Sequence, residues 1–252
     1  MLNNKFTERE KKILGFLTED ASLSVARLSE HLQVSTVTIR SDLAGLEKKG
    51  VIMRSHGGAV PAFHPQILLR QSQREAEKNR IAQAAADLIA DSDTVMIEAG
   101  TTTALVAKYL LGKRDVHIVT NSTLLIPFAR TNPGLHLTVV GGEFRPATES
   151  LVGPRALEEL ERFHVRLAIV GTDGFSLQGG LTTHLVEGAE IVRKMAAQAQ
   201  ATVLTADASK YGQRGFVAVL PLTAVSRLVT DVGLPVQVCR DLEGAGLEVL
   251  RV

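Results

Sequence analysis

The chain has 252 residues, of which 45% are hydrophobic and 22% charged, and its formal net charge is +1. This composition fits a globular protein of one or two domains, and the charge gives no overall basic field that would by itself indicate nucleic acid. The single cysteine excludes an intramolecular disulfide framework and a multi-cysteine zinc site. No apolar run approaches the roughly 18 residues of a membrane span and the N-terminus does not resemble a signal peptide, so we expect a soluble cytoplasmic protein.

Up to about residue 60, apolar residues recur at the spacing of short helices. Ser24 is placed to cap one helix, and Ser35 is placed to cap the next, which we predict over residues 36–49. The sequence "VIMRSHGGA" that follows predicts a two-stranded wing with Arg54 and His56 near its tip. The second helix has an apolar face, which consists of Ile39, Leu43 and Leu46.

A helix, a tight turn, a second helix and a wing form a geometry that reads DNA, with the second helix in the major groove. Short hydroxyl side chains on that helix can approach phosphates and bases closely, while Arg40 can contact a phosphate or a guanine. The predicted DNA contacts are Ser35, Thr36, Thr38, Arg40, Ser41, Arg54 and His56. The pattern alone leaves a second interpretation open, which is a small helical domain used for dimerisation.

The chain changes character after the wing. The sequence "GGAVPAFHP" contains two glycines and two prolines and indicates a domain boundary. We therefore predict a winged helix-turn-helix domain over residues 1–60, a linker over 61–75 and a second domain over 76–252.

The second domain begins with an alanine-rich amphipathic helix, after which short apolar runs alternate with helical stretches. The predicted strands cover residues 94–97, 116–120, 136–140, 167–170, 202–205 and 228–230. The predicted helices between them cover residues 103–111, 123–130, 154–163 and 187–199. Unbroken apolar strands separated by helices are typical of a parallel sheet covered on both faces. The sequence therefore predicts an α/β domain whose ligands bind at the carboxyl ends of the strands.

Polar loops follow one predicted strand after another. The first of them, residues 100–103, has backbone N–H groups and hydroxyls that suit a phosphate at the start of a helix. Each loop can also be explained as a turn or a helix cap, but the strand ends converge on one crevice. The other loops contain Thr120-Asn121, Gly141-Gly142, Gly171 to Gly174, Gly179 to Thr183 followed by Glu187, and Asp207 to Gly212.

Two stretches of the N-terminal region, "VSTVTIRSDL" and "RSHGGA", closely resemble the DNA-binding domain of the DeoR family of bacterial transcriptional regulators. That family usually has a second arginine where this chain has Ser41, so a charge is removed from the predicted phosphate contact. The loops described above resemble the effector domain of the same family, beginning with "EAGTTT". Position 98 is usually aspartate in the family, and Glu98 adds one methylene at this point.

The resemblance implies a fold similar to ribose-5-phosphate isomerase and a regulator, usually a repressor, of a sugar or sugar-alcohol catabolic operon. A phosphorylated intermediate is expected as effector, with Thr101 to Thr103 and Lys210 holding its phosphate. Carboxylates would accept hydrogen bonds from its hydroxyls, and Asn121 would orient it. The implied effector site comprises Glu98, Gly100, Thr101, Thr102, Thr103, Asn121, Gly141, Gly142, Asp173, Gly174, Thr182, Glu187 and Lys210. Double-stranded operator DNA and a second copy of the chain, in a dimer or tetramer, are the other expected partners.

Two further classes of function remain open from the residues themselves. One is a sugar-phosphate isomerase with a helical appendage, in which Asp173, Glu187 and Lys210 would supply the acid and base. The other is a small-molecule binding or scaffold protein whose helical domain does not contact DNA. We expect no catalytic residues and no cofactor. We also expect no metal, because the histidines show no chelating spacing in the sequence and the single cysteine has no partner nearby.

Overall fold

The computed structural model describes residues 6–55 and 57–252. They divide into two compact units, one reaching Gln73 and including Pro146–Thr148, the other formed by Arg74–Arg145 and Glu149–Val252. Among the described residues, no helix combines the length and the apolar character needed to cross a membrane.

The N-terminal unit confirms the predicted helix-turn-helix and wing. The side-chain oxygens of Ser24 and Ser35 accept hydrogen bonds from the backbone N–H groups of Arg27 and Thr38, so both serines cap the helices as predicted. The predicted apolar face of the second helix, Ile39, Leu43 and Leu46, is fully buried. Its elements are α1 (Glu8–Glu19), α2 (Val25–Leu32), α3 (Thr36–Lys48), β1 (Ile52–Ser55), β2 (Gly58–Pro61) and α4 (Pro65–Ser72).

Helix α4 lies in the segment predicted as a linker. Its Ile67 is buried, and Leu68 packs against the apolar core of the N-terminal unit. His64 caps the helix and Pro65 occupies its first turn, a position that proline favours. The two prolines of "GGAVPAFHP" therefore end the wing and start a helix, and residues 65–72 are an ordered part of the first unit.

Two ion pairs fix α1 against α3. The guanidinium of Arg9 binds both carboxylate oxygens of Asp42, at 2.5 and 2.9 Å. The buried carboxylate of Glu10 accepts two hydrogen bonds from the ammonium of Lys49, both at 2.8 Å, and also caps α1. These contacts hold one side of α3 and leave its opposite side exposed.

A parallel sheet organises the C-terminal unit. Among the described residues seven strands form it, in the order β14-β13-β11-β8-β3-β4-β5, and every neighbouring pair is parallel. The strands of this unit are β3 (Thr94–Ile97), β4 (Val116–Thr120), β5 (Leu135–Val139), β6 (Glu143–Arg145), β7 (Ser150–Val152), β8 (Val165–Val170), β9 (Gly174–Ser176), β10 (Gly180–Thr183), β11 (Ala199–Thr205), β12 (Val217–Leu220), β13 (Arg227–Thr230) and β14 (Glu248–Arg251). Its helices are α5 (Glu75–Asp87), α6 (Thr103–Val106), α7 (Ile126–Arg130), α8 (Pro154–Leu160), α9 (Val186–Ala197) and α10 (Val236–Gly244).

The strand order reverses between β3 and β8. From β3 the chain builds outward through β4 to β5, and it then returns to the other side of β3 to build β8, β11, β13 and β14. The loops after β3 and β8 consequently leave the sheet in a crevice at its topological switch point, which is where ligands bind in open α/β sheets. The α/β prediction is confirmed, and the position of the crevice is a result of the strand order.

Several elements differ from the sequence prediction. The helix predicted over residues 103–111 is only one α-helical turn, α6, continued by a 3-10 turn. Strand β14 was not predicted, because only two of its residues are even partly buried and it has no continuous apolar run. Small antiparallel ladders, β6 with β7 and β10 between β9 and β12, form within the loops that follow the parallel strands.

A partly buried ion pair at the amino ends of β3 and β8 gives a test of stability. Arg166 Nε lies 2.6 Å from Asp93 Oδ1, and the guanidinium also donates to the carbonyl of Leu88 at 2.7 Å. The hydrogen bonds from Arg166 are the main reason that the pKa of Asp93 lies below its usual range, while burial acts in the opposite direction. The backbone N–H of Ala90 also donates to this carboxylate, which lowers the pKa further.

We expect Arg166→Ala to lower the free energy of unfolding at pH 7 by about 1–2 kcal/mol, a value reduced for the solvent exposure of the arginine. A carboxyl with a lowered folded pKa stabilises the protein fully above its unfolded pKa of about 4, and this contribution is lost as the pH falls through the folded value. The loss caused by the substitution should therefore shrink below about pH 4. Urea unfolding at several pH values measures it, with the exposed Arg114→Ala as control, and an equal loss at all pH values would contradict the assignment.

Candidate DNA-binding surface and effector site

The exposed side of α3 carries the central residues of the predicted DNA contact. Arg40 and Ser41 are exposed, and Thr36 lies half-buried in the first turn. Neither the guanidinium of Arg40 nor the hydroxyl of Ser41 has a hydrogen-bonding partner within residues 6–55 and 57–252. These groups are therefore available to phosphates and base edges.

Two of the predicted contacts have a structural task as well. Ser35 Oγ accepts the backbone N–H of Thr38 at 3.1 Å, and the hydroxyls of the two residues lie 2.9 Å apart. Ser35 is exposed at the helix N-terminus, whereas Thr38 is half-buried. Their hydroxyls fix the first turn of α3 and so set the direction in which Arg40 leaves the helix.

Val37 is an exposed residue that the sequence reasoning missed. Its side chain is 72% exposed, although it is apolar and lies in the first turn of α3. Residues 37, 40, 41 and 44 share one helix face by their spacing, and this spacing is the signal that could have identified Val37. An apolar side chain at that place suits contact with the methyl group of thymine.

The wing presents Arg54 to solvent. Arg54 lies in β1, pairs in register with Ala59 of β2, and is exposed. Its guanidinium has no ion pair within the described part of the chain. The other predicted wing contact, His56, lies outside the described residues.

At the switch point of the sheet, the loops after β3 and β8 are in direct contact. Glu98 Oε2 accepts the backbone N–H of Gly171 at 3.1 Å. A Cβ on Gly100 would lie 2.9 Å from Thr103 Oγ1, and a Cβ on Gly171 would lie 3.3 Å from Glu98 Oε2. A side chain at position 100 would therefore displace the Thr103 hydroxyl, and the loops pack closely around the Glu98 carboxylate.

Lys78 brings a positive charge to this crevice and was not predicted. It lies on α5, only 6% of its surface is exposed, and its ammonium donates to Thr101 Oγ1 at 3.1 Å. The sequence held a signal for it, because Lys78 shares the buried helix face of Ile81, Ala82 and Ala85. A lysine on a buried face has a specific partner or a function, since burial of an unpaired charge is costly.

The three threonines of "GTTT" do not play equal parts. Thr103 is fully buried, and its hydroxyl donates to the carbonyl of Gly100 at 3.0 Å, which closes the loop on itself. Thr101 and Thr102 are half-buried and line the loop. Because α6 has only four residues, its dipole is small and contributes little positive potential at this loop.

Asn121, after β4, supports the crevice through its side chain. Its Oδ1 accepts the backbone N–H of Ala99 at 2.9 Å, and its Nδ2 donates to the carbonyl of Leu151 at 3.2 Å. Only 2% of the residue is exposed. Asn121 therefore positions the loop after β3, and through that loop the threonines.

Gly141 and Gly142 lie after β5, which is the edge strand two places from β3. The N–H of Gly141 donates to Glu159 Oε2 at 2.7 Å. Gly142 has φ of 140° and approaches the chain so closely that a Cβ would lie 2.6 Å from the carbonyl oxygen of Val152. The structure gives both glycines a packing role beside β7 and α8.

On the other side of the switch point, hydrogen bonds join the loop after β8 to the β9–β10 hairpin. Asp173 Oδ2 accepts the hydroxyl of Thr183 at 2.8 Å and the N–H of His184 at 3.0 Å. Thr182 Oγ1 donates to the carbonyl of Gly174 at 3.0 Å and accepts the N–H of Gly215 at 2.8 Å. These bonds also tie the hairpin to the loop that contains Lys210.

Lys210 ends a 3-10 turn that Asp207 caps after β11, the strand next to β8. Its side chain is half-buried, and its ammonium has no partner in the described portion of the chain. The neighbouring carboxylate of Asp207 is 3% exposed and already accepts the N–H of Ser209 at 3.0 Å. Lys210 therefore remains able to bind an anion.

Glu187 is held by an arginine that the sequence reasoning also missed. Arg145 lies 2.9 Å from Glu187 Oε1 and 2.6 Å from Glu143 Oε1. The pKa of Glu187 lies below its usual range, first because its carboxylate accepts its own backbone N–H at the start of α9 and then because of Arg145. Glu187 is thus an ionised hydrogen-bond acceptor, a form that suits binding of hydroxyl groups.

Comparison with known proteins matches the two parts of the chain to two separate protein-family domains. The DeoR-like helix-turn-helix domain matches residues 9–62, and the DeoR C-terminal sensor domain matches residues 73–232. The HTH-type transcriptional regulator GlpR of Haloferax volcanii is 36% identical over 96% of this chain and 96% of its own. The HTH-type transcriptional repressor GlcR of Bacillus subtilis is 34% identical over 96% of this chain and 95% of its own.

One solved structure with a similar fold is a ribose 5-phosphate isomerase from Plasmodium falciparum. It matches 55% of this chain and 54% of its own, with a TM-score of 0.40 and 20% identity. A similarity of this size carries no conclusion about activity. The sequence relatives, in contrast, extend over both domains, and this protein therefore belongs to the DeoR family and is a DNA-binding transcriptional regulator rather than an enzyme.

Proposed function

We propose that this protein is a cytoplasmic repressor of a carbohydrate catabolic operon, and that a phosphorylated sugar or sugar alcohol relieves the repression. The recognition helix α3 of two or four copies would bind operator half-sites spaced by whole turns of DNA. The effector would bind in the crevice between the loops after β3, β8 and β11. Effector and operator would each weaken the binding of the other by the same factor, as linkage requires.

The buried ammonium of Lys78 beside Thr101 supports the phosphorylated effector. It lies at the switch point of a parallel sheet, where ligands bind. Lys210 adds a second positive charge on the other side of β8. Two cations suit a phosphate dianion, while the nearby carboxylates suit hydroxyl groups as acceptors.

The proposal predicts that a single compound changes both stability and DNA binding. Thermal unfolding is measured with a panel of sugar phosphates and sugar-alcohol phosphates, each compared with its unphosphorylated counterpart. A phosphorylated compound at 100 times its Kd should stabilise the sensor domain by about 2.7 kcal/mol, and its counterpart should not. The same compound should weaken binding to the DNA upstream of the gene by roughly 5–150-fold.

Two results would contradict different parts of the proposal. Equal stabilisation by a compound and its unphosphorylated counterpart would contradict the phosphate site. A phosphorylated compound that stabilises the protein but strengthens DNA binding would identify an activator or co-repressor mechanism and would contradict induction.

A further inference from the structure

Two histidines that are distant in the sequence meet on the sheet. His117 lies on β4 and His136 on β5, and the parallel register of these strands makes them direct Cα partners. Their rings are stacked, with centroids 4.5 Å apart and an angle of 17° between the planes. The spacing of these two histidines in the sequence gives no sign of a metal site, because only the pairing of β4 with β5 brings their rings together.

Asp115 completes a cluster of three side chains. Its Oδ1 atom lies 3.3 Å from Nε2 of His117 and 3.2 Å from Nε2 of His136. Asp115 adopts φ of 58° immediately before β4, a left-handed conformation that aspartate tolerates better than most residues. The three potential ligand atoms all lie within 4.8 Å of one another.

These distances match the coordination sphere of a transition metal ion. Zinc bonds to histidine nitrogen and carboxylate oxygen are about 2.0–2.1 Å long, so neighbouring ligand atoms of a tetrahedral site are about 3.3 Å apart. Both oxygen-to-nitrogen separations in the cluster are close to this value. The rings are stacked, however, so binding of one ion by all three atoms would require the imidazoles to rotate until both Nε2 lone pairs point at it.

The donor set also selects the class of ion. Two imidazole nitrogens and one carboxylate oxygen favour Zn²⁺, Ni²⁺ or Cu²⁺, whereas Mg²⁺ and Ca²⁺ prefer oxygen ligands. The three side chains are 54–59% exposed, so an ion reaches them from solvent and a coordination position stays open. Within the described residues neither histidine Nδ1 atom has an acceptor, so we expect weaker binding than at a buried site with supporting hydrogen bonds.

We propose that Asp115, His117 and His136 bind one borderline divalent cation, with Zn²⁺ as the representative ion. The cluster lies toward the amino ends of β4 and β5, while the effector loops follow the carboxyl ends of the strands. The metal site is therefore separate from the effector crevice, and it does not depend on the function proposed for that crevice.

The test is calorimetric titration of the full-length protein with Zn²⁺ after removal of any polyhistidine tag. We expect one equivalent to bind, and we expect His117→Ala and His136→Ala each to weaken binding about tenfold or more. Asp115→Asn should also weaken binding while keeping the shape of the side chain. The exposed His164→Ala is the matched control and should bind Zn²⁺ like the unsubstituted protein, and Mg²⁺ should not bind at the cluster.

A second readout separates loss of the site from loss of the fold. All three positions are exposed, so the variants should unfold at the same temperature as the original protein when metal is absent. Absorption of bound Co²⁺ in the visible range should show a tetrahedral site in the original protein and disappear in the double variant His117→Ala/His136→Ala. Unchanged Zn²⁺ affinity in this folded double variant, or no Zn²⁺ binding by the original protein, would overturn the proposal.

Discussion

Arg40→Ala should weaken binding to the operator by about 5–150-fold at constant salt, the equivalent of 1–3 kcal/mol for one good base contact. The reason is that Arg40 is exposed on α3 and has no partner within the described residues that would compete with DNA. If its contact is a guanine, relaxed preference at one base pair should accompany the loss. If its contact is a phosphate, the loss should be uniform across sequences and the salt slope should fall by about one.

The matched control is Lys48→Ala on the same helix. It removes the same charge but lies eight residues, about 12 Å, further along α3 from the end that enters the groove. Fluorescence anisotropy with labelled operator DNA at several salt concentrations measures both variants. Equal losses for Arg40→Ala and Lys48→Ala would show a general effect of charge, and our assignment of the recognition face would then be wrong.

The second large effect is expected in the sensor domain. Lys210→Ala should weaken effector binding about ten- to hundredfold, because a hydrogen bond to a charged group contributes about 1.5–3 kcal/mol. At a concentration of 100 times the original Kd, the ligand stabilisation of about 2.7 kcal/mol would fall to about 0.4 kcal/mol for a hundredfold loss. The variant should still bind operator DNA, so in cells it should repress and fail to respond to the inducer.

Lys113→Ala serves as the control for this variant. Lys113 precedes β4 and so lies at the amino end of the sheet, while Lys210 follows the carboxyl end of β11. Thermal shift and DNA release are measured for both variants with the same phosphorylated compound. If the phosphorylated compound released the Lys210→Ala variant from DNA as it releases the original protein, Lys210 would not belong to the effector site. Lys78 would then be the positive charge that holds the phosphate.

Glu98 illustrates how the structure refines a residue that the sequence had identified. The sequence shows a carboxylate where related proteins usually have a shorter one, and it gives no partner for it. In the structure the Glu98 carboxylate reaches across the switch point to the backbone N–H of Gly171. The longer side chain thus connects the loop after β3 with the loop after β8.

The local features of the chain were predictable because they depend on neighbouring residues. Ser35 caps α3, and the apolar spacing around Ile39 fixes which side of that helix is buried. The strands β3 and β4 were predicted with their observed ends, since each is a short and mostly apolar run bounded by polar residues. Helix-turn-helix, wing and parallel α/β class all follow from such short-range patterns.

The partners of individual side chains were decided by the tertiary structure. Lys78 on α5 contacts Thr101 in the loop after β3, and Arg145 contacts Glu187, which lies 42 positions later in the sequence. Strand register brings His117 beside His136. These pairs depend on strand order and on the packing of α5, which no local window of sequence contains. The sequence by itself therefore determined the DNA-reading element and the class of fold, because helix caps and apolar periodicity act over a few residues. The tertiary structure alone decided which charges face the crevice and which histidines meet, because the strand order places them together.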